Sequence, residues 1–152
     1  ENSPFTNRIK VFQQDFKSFN STQKFDLIVS NPPYFLENDS EKDSTARQQI
    51  ELSFDHLIKK SAELINETGM LSVIIPFEAG EDFKQKCFEN KLLLQKRITI
   101  FGIKNSKPKR LILEFGFKEK EIVAADLIIE KSPRVYSEEY LELTKEFHQF
   151  SK

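Results

Sequence analysis

Apolar and polar positions along the chain follow two periods, one typical of strands and one typical of helices. Residues 25–31 and 70–76 form two short, continuous apolar runs rich in β-branched side chains, which predicts strands covered on both faces. Between these runs, from Thr45 to just before Gly69, apolar residues recur at helical spacing. The positions that define this helix are Ile50, Phe54, Leu57, Ile58, Ala62 and Ile65. The pattern therefore predicts a strand, a helix and a strand in succession.

Shorter patterns predict further elements on both sides of this unit. Residues 8–13 alternate between polar and apolar and predict a strand, while residues 36–44 carry four acids without periodicity and predict a mobile loop. A second helix is predicted after residue 80, with acids at its start and lysines towards its end, an arrangement that suits the helix dipole. The charged residues concerned are Glu81, Asp82, Lys84, Lys86 and Lys91.

The last third of the chain predicts a strand pair and a final helix. Residues 92–101 and 110–118 have the alternation of an antiparallel hairpin, and residues 126–130 predict a short extra strand. Ser137 is predicted to cap the final helix, because its hydroxyl can accept from a free N–H of the first turn. The apolar stripe of that helix consists of Tyr140, Leu143, Phe147 and Phe150.

Composition limits the classes of protein to which this chain can belong. Its 152 residues, 38% hydrophobic and with 15 phenylalanines, are enough for one folded domain. The formal net charge of −1 gives no global attraction to nucleic acid, so RNA binding would need a local patch. A single cysteine excludes an internal disulfide. No signal sequence or apolar run near the roughly 20 residues of a membrane span is visible, which predicts a cytoplasmic protein.

The histidines and the cysteine are predicted to be structural. Neither His56 nor His148 has a Cys or His partner at metal-ligand spacing, so no metal site is predicted. Cys87 shares an apolar helical stripe with Phe83, which predicts a buried and inert thiol.

The first apolar run ends in the most specific chemistry of the chain, Asn31-Pro32-Pro33-Tyr34. Two prolines cannot continue a strand, so this tip is predicted at the strand's carboxyl end, where open α/β sheets bind ligands. An adenine or carboxamide nitrogen is a poor nucleophile because its lone pair is delocalised. The Asn31 side-chain carbonyl and the Pro32 main-chain carbonyl can accept its two N–H protons. Pro33 stiffens the turn, and Tyr34 offers a flat ring for stacking. These residue types predict methylation of an amino group.

This tip, after an Asp-Leu-Ile-Val strand, resembles the motif of the amino-directed, S-adenosylmethionine-dependent methyltransferases. Further segments are similar, in order, to the bacterial tRNA1(Val) adenine-37 N6-methyltransferase family. The segments are residues 5–11, Asp15, Ala46-Arg47, 69–76, 109–115 and 136–140. The resemblance implies methyl transfer from S-adenosylmethionine to the exocyclic N6 of an adenine in tRNA. Protein-glutamine and DNA adenine methyltransferases share the motif logic and are the alternatives.

The resemblance also implies the fold. The predicted order of elements resembles the second half of a Rossmann-like class I methyltransferase sheet, an α/β fold with an antiparallel last strand. Its first strands and glycine loop are absent, since no two of the four glycines are closer than eleven positions. Residues 1–152 are therefore predicted to form a single partial methyltransferase domain, its carboxyl-terminal part. Alone, this fragment is predicted to be inactive and to self-associate through an exposed sheet edge at residues 25–31.

In the family that the chain resembles, particular positions contact the cofactor. Asp15 corresponds to an acid that accepts from the amino group of the cofactor's adenine, and the main-chain N–H of Phe16 reaches a ring nitrogen. Main-chain groups of Ser30 and Asn31 touch the methionine end. An ordinary loop aspartate is the alternative interpretation of Asp15.

Positive charge concentrates between the two hairpin strands. Lys104, Lys107, Lys109 and Arg110 place four positive charges and no acid within seven residues. This pattern predicts contacts with RNA phosphates, and a solvated turn is the alternative. Arg47, which follows the acidic loop, could reach RNA or pair with the carboxylates of that loop.

Overall fold

A computed structural model describes residues 6–32 and 43–147, with the backbone alone for Thr6 and residues 43–53. The described residues form one six-stranded mixed sheet with helices packed against it. The strands are β1 (Phe25–Ser30), β2 (Ile65–Pro76), β3 (Leu93–Ile103), β4 (Pro108–Gly116), β5 (Val123–Ser132) and β6 (Val135–Tyr136). The helices are α1 (Asp43–Leu64), α2 (Gly80–Glu89) and α3 (Glu138–Thr144), with 3-10 turns at Thr6–Arg8, Phe16–Ser18 and Phe77–Ala79.

The strands lie in the order β1-β2-β4-β3-β5-β6. β1 runs parallel to β2, and β3 runs parallel to β5. β4 is antiparallel to both of its neighbours, as predicted for the antiparallel strand of the methyltransferase sheet that this chain resembles. The carboxyl ends of β1, β2, β3 and β5 therefore meet at one edge of the sheet, together with the β3–β4 turn. We call this edge the carboxyl edge. The predicted Rossmann-like order is confirmed.

The core lies between the central strands and helices α1 and α2. Paired positions on β2 and β4, such as Val73↔Leu113 and Ile75↔Leu111, point to the same face and are buried. Phe83 of α2 is fully buried there, with ring centroids 5.2 Å from Phe54 and 5.8 Å from Phe115. The helical spacing that the sequence shows around Leu57 and Ile58 is thus the core-facing side of α1.

The boundary between α1 and β2 differs from the prediction. Ile65 lies at helical spacing after Ala62, yet the helix ends at Leu64 and Ile65 already pairs with Phe25. Register then shifts, because the next pair is Leu27↔Met70 and residues 66–69 are accommodated between them. The side chain of Asn66 stabilises this irregular segment by accepting from the N–H of Thr68 at 2.9 Å and by donating to Asp26.

The predicted strand at residues 8–13 is wrong. Arg8 closes a 3-10 turn, and residues 9–15 have no regular structure. The apolar members of the alternation are exposed, with Val11 at 89% and Phe12 at 71% of their accessible surface. A strand needs a neighbour to satisfy its backbone groups, and no described strand lies beside this segment.

The far side of the sheet is longer than predicted. β5 covers residues 123–132 instead of 126–130 and forms a small hairpin with β6. Ser137 caps α3 as predicted, its hydroxyl accepting the N–H of Tyr140 at 3.1 Å. The helix is shorter than predicted, since it ends at Thr144 and leaves Phe147 86% exposed. Phe150 and His148 lie outside the described residues.

The strand that carries the tip lies at the opposite margin of the sheet. β1 pairs with β2 on one side, and no described strand pairs with its other side. Leu27 and Val29 on this strand are 50% and 71% exposed. The prediction of a strand covered on both faces is therefore wrong for β1, because the face that carries these two side chains is open to solvent. Self-association through this edge stays a prediction, and so does the assignment of residues 1–152 to a single partial domain. Among the described residues, no helix has the length and apolarity to cross a membrane.

Candidate active site

A cavity of about 300 Å³ lies at the carboxyl end of β1, between that strand, the preceding 3-10 turn and α1. It brings together five of the predicted site residues, namely Asp15, Phe16, Ser30, Asn31 and Pro32. The lining residues are Asp15, Phe16, Lys17, Ile28, Val29, Ser30, Asn31, Pro32, His56 and Leu57. Residues separated by about fifteen positions in sequence thus share one wall, because the connector between Phe19 and Phe25 returns the chain to the start of β1.

Asp15 opens the 3-10 turn at Phe16–Ser18 and is exposed. One of its carboxylate oxygens accepts the N–H of Lys17 at 3.0 Å, and its main-chain carbonyl accepts the N–H of Ser18 at 3.1 Å. A carboxylate has about four acceptor positions, so the second oxygen can still accept from a ligand. The cap therefore fixes the orientation of the carboxylate without saturating it.

Phe16 supplies both a ring and a backbone donor to the same wall. Its ring packs on the edge of the core and stacks on Phe19, with centroids 6.5 Å apart and planes at 10°. Its N–H is the first donor of the turn and makes no hydrogen bond to another described residue. A carboxylate acceptor and a neighbouring N–H donor, as at Asp15 and Phe16, can match the amino group and a ring nitrogen of an adenine.

The tip itself is partly described. Asn31 is exposed and Pro32 is buried, directly after the last paired residue of β1, Ser30. The amide of Asn31 makes no hydrogen bond to other described residues, which leaves its carbonyl free to accept there. Pro33 and Tyr34, the predicted turn and stacking residues, lie outside the described residues, and so does most of the predicted acidic loop.

Sequence reasoning missed Lys17, which belongs to the 3-10 turn, and two contributors to the cavity from α1. His56 and Leu57 reach it from α1, and His56 also lines an adjacent cavity of about 160 Å³ with Lys17, Lys59 and Lys60. The motif gives no signal for them, because their position depends on how α1 packs against β1. Leu57 was identifiable only as a core residue of the helix.

Positive charge surrounds the adjacent cavity that His56 shares with the site. Lys60 Nζ donates a hydrogen bond to Glu63 Oε2 at 2.7 Å. This hydrogen bond, together with the charges of Lys60, Lys59 and Lys24, lowers the pKa of Glu63. Lys17 and Lys59 form no ion pair with a carboxylate among the described residues.

The predicted RNA-contacting residues do not line the cavity. Lys107 and Lys109 are exposed and Arg110 is half-buried, on the β3–β4 hairpin at the same carboxyl edge. Arg110 pairs with Pro76 at the end of β2, which places the start of β4 two strands from the tip. Lys109 lies across Gly102, where a Cβ would approach its Cε to 3.0 Å. The backbone of Arg47 belongs to α1, and its side chain is outside the described part.

The thiol behind the sheet matches its predicted role. Cys87 is fully buried in α2, and desolvation raises the pKa of its thiol far above the ordinary value. A group in this state is a poor nucleophile, so the cysteine contributes packing and no chemistry.

The chain is similar in sequence to named tRNA methyltransferases. A tRNA1(Val) (adenine(37)-N6)-methyltransferase from Flavobacteriaceae bacterium (strain 3519-10) is 53% identical over 97% of this chain and 64% of the relative. A protein of the same name from Phocaeicola vulgatus is 42% identical, over 96% of this chain and 64% of the relative. The predicted resemblance to this group is confirmed. The chain spans a little under two thirds of the length of these relatives.

A solved structure shares the fold of this chain. A protein described as a predicted O-methyltransferase from Agrobacterium tumefaciens superposes with a TM-score of 0.67 and 17% identity, over 93% of this chain and 64% of that chain. The family model of the Eco57I restriction-modification methylases matches residues 1–107, which include the Asp15 turn, the Asn31 tip and both helices that flank β2. The chain therefore belongs to the Eco57I restriction-modification methylase family.

Proposed function

We propose that the complete protein transfers a methyl group from S-adenosylmethionine to the exocyclic N6 of an adenine in tRNA, a reaction of the cytoplasm. One observation carries the proposal: the Asn31-Pro32 tip and the Asp15-Phe16 turn lie in the wall of one cavity. An amino-group acceptor and an adenine-binding pair are thus within reach of one another. The names of the relatives indicate the same reaction on tRNA.

The chain's own groups suit the cofactor on one side. Asp15 retains a carboxylate oxygen for the amino group of the cofactor's adenine, and the Phe16 N–H can donate to a ring nitrogen. Ser30 and Asn31 line the same cavity, where their main-chain groups would meet the methionine end. When bound, S-adenosylmethionine supplies the electrophilic methyl group.

The tip would prepare the nitrogen for attack. Asn31 Oδ1 and the Pro32 carbonyl accept the two N–H protons, which holds the amino group in place and favours tetrahedral geometry as the new bond forms. For Pro33 and Tyr34, which lie outside the described residues, the sequence-based roles are proposed: a proline that stiffens the turn and a ring that stacks on the adenine. The adenine must leave the stacked loop to enter the site. No strong base is needed, because the proton leaves after the methyl group has arrived.

Phosphate contacts are proposed for the hairpin and for Arg47. Lys107, Lys109 and Arg110 lie at the carboxyl edge, two or three strands from the tip, where they can contact a nucleic acid whose target base is in the site. Cations that neutralise phosphates orient RNA without reading its sequence.

The test is Asn31→Ala in the complete protein, with methyl incorporation measured on tRNA, on duplex DNA and on a glutamine peptide. Wild type should methylate tRNA. The variant should lose about 10²-fold or more in kcat while tRNA affinity changes little, because the acceptor acts mainly as the nitrogen changes geometry. Asn20→Ala, an exposed amide next to the 3-10 turn, is the matched control. Full activity of Asn31→Ala, or methylation of DNA or peptide alone, would disprove the proposal.

A further inference from the structure

Basic and aromatic side chains form a strip along the far end of the carboxyl edge, beyond the hairpin. We call it the basic-aromatic strip. Its members come from the β3–β4 turn, the end of β5, β6 and the start of α3. They are Lys104, Lys107, Lys131, Arg134, Tyr136 and Tyr140. None of them lines the cavity at Asn31.

Backbone hydrogen bonds hold the parts of the strip together. The N–H of Lys104 donates to the carbonyl of Glu130 at 2.9 Å, and Glu130 pairs with Tyr136 across the β5–β6 ladder. The turn and β6 therefore flank the same residue on either side. With strands about 4.8 Å apart, the backbones of Lys104 and Tyr136 lie roughly 10 Å from each other.

The two tyrosines form a fixed aromatic pair. Their ring centroids are 5.1 Å apart and their planes meet at 40°. Ser137 lies between them in sequence, accepts the N–H of Tyr140 and donates its own hydroxyl to the carbonyl of Ile128 on β5. Thr144 bonds back to the Tyr140 carbonyl at 2.7 Å. Tyr136 keeps 39% of its surface exposed, so the pair presents a ring to solvent from a rigid support.

The acids next to the strip are mostly engaged. Glu138 pairs with Lys131 at 3.6 Å, and the carboxylate of Glu130 accepts the N–H of Arg134 at 3.1 Å. Lys104 and Lys107 form no ion pair with a carboxylate among the described residues. Glu130 and Glu139 are the acids there that form no ion pair among the described residues. The two lysines nearest the hairpin, Lys104 and Lys107, are thus available to phosphates.

We infer that the basic-aromatic strip binds single-stranded nucleotides of the RNA substrate that flank the target adenine. This inference rests on the proposed function and adds to it a second contact site. An exposed ring on a rigid support can stack on an unpaired base, and the neighbouring cations can meet its phosphates. From β1 to β5 and β6 there are four and five strand spacings, or roughly 19–24 Å. At about 3.4 Å per stacked nucleotide, this distance corresponds to about six or seven positions.

Binding measurements with the complete protein test the inference. The probe is a fluorescently labelled stem-loop RNA, and the same stem closed as a duplex is the comparison. Tyr136→Leu and Tyr140→Leu should each weaken stem-loop binding by about tenfold and leave duplex binding unchanged, because only unpaired bases can stack. Tyr136→Phe and Tyr140→Phe keep the rings and should bind normally. Leu143→Ala, an exposed apolar residue of the same helix, is the control.

Salt dependence separates stacking from charge. The tyrosine variants should leave the slope of log affinity against log salt unchanged, whereas Lys104→Ala with Lys107→Ala should flatten it by about 1 to 2 units. Wild-type stem-loop affinity in Tyr136→Leu, or equal losses for stem-loop and duplex, would overturn the inference. If Tyr140→Leu unfolds α3, a stem-loop RNA with 4-thiouridine in its loop is photo-crosslinked to the wild-type protein instead. A crosslink within residues 131–140 supports the inference. If all crosslinks fall outside these residues, the inference is contradicted.

Failure of the proposed function remains distinguishable from failure of this inference. If the wild-type protein methylates no tRNA while the tyrosine variants still bind the stem-loop RNA more weakly, the RNA-binding role of the strip is supported and the proposed reaction is wrong. If methylation depends on Asn31 while the tyrosine variants bind the loop normally, the reaction stands and the strip is wrong.

Discussion

Gly69→Ala tests how closely β1 is held against β2. A Cβ at this position would lie 2.7 Å from the carbonyl oxygen of Phe25 and 3.1 Å from the backbone nitrogen of Asn66. Ordinary contacts begin at 3.4 Å, so β1 and the Asn66 segment must separate by 0.7 Å (3.4 − 2.7). Both neighbours are backbone atoms and cannot rotate away. The new side chain should therefore push the start of β1 off the sheet.

The expected cost follows from the backbone contact. Overpacking of this kind destabilises a protein by about 1–3 kcal/mol, which exceeds the roughly 0.4–1 kcal/mol gained when alanine replaces glycine in the unfolded chain. For a chain of this size, Tm should fall by about 2–10 °C. Since β1 carries Asn31 at its other end and pairs on one side alone among the described strands, the tip should shift as well. A misplacement of about 1 Å can cost 10²-fold, so a loss of about tenfold in kcat is expected.

Thermal unfolding and single-turnover methyl transfer measure these two effects. Gly102→Ala is the matched control, because its Cβ would meet only the end of the Lys109 side chain, which can rotate away. It should not destabilise the protein, and the gain of roughly 0.4–1 kcal/mol from the unfolded chain should appear instead. If Gly69→Ala is as stable and as active as wild type, the close approach of Phe25 does not exist and the reasoning fails.

Two further predictions concern the core. Phe83→Ala removes a fully buried ring that contacts Phe54 and Phe115, and it should lower the free energy of unfolding, measured with denaturant, by about 3–5 kcal/mol. Phe88 is 65% exposed on the same helix, so Phe88→Ala should cost about 1 kcal/mol or less. Equal costs would contradict the placement of α2. Because burial raises the pKa of Cys87 above its usual value of 9.0, the native thiol stays protonated above pH 9.0 while the unfolded thiol ionises. Above pH 9.0 the free energy of unfolding should then fall by up to about 1.4 kcal/mol per pH unit, and this decrease should be absent in Cys87→Ala. Alkylation of Cys87 in the native protein at pH 8 would show that the thiol is not buried.

The sequence alone determined the elements whose signals are local. Residues 25–30 and 70–76 lie in strands because continuous runs of β-branched residues favour extended backbone, and α2 and the β3–β4 hairpin follow from their own period and charges. The tip at Asn31 was equally readable, since two prolines end a strand wherever it lies. Cys87 followed from its place on an apolar helical stripe.

Tertiary structure decided what depends on neighbours distant in sequence. Residues 8–13 alternate like a strand and form none, because pairing and not alternation satisfies the backbone. Ile65 fits a helical period, yet it lies in β2, because the register between β1 and β2 pairs it with Phe25. His56 reaches the cavity, and Tyr136 meets Tyr140 beside a basic turn, only because α1 and β5 pack where they do. Such placements depend on contacts between distant segments, and a local pattern holds no information about them.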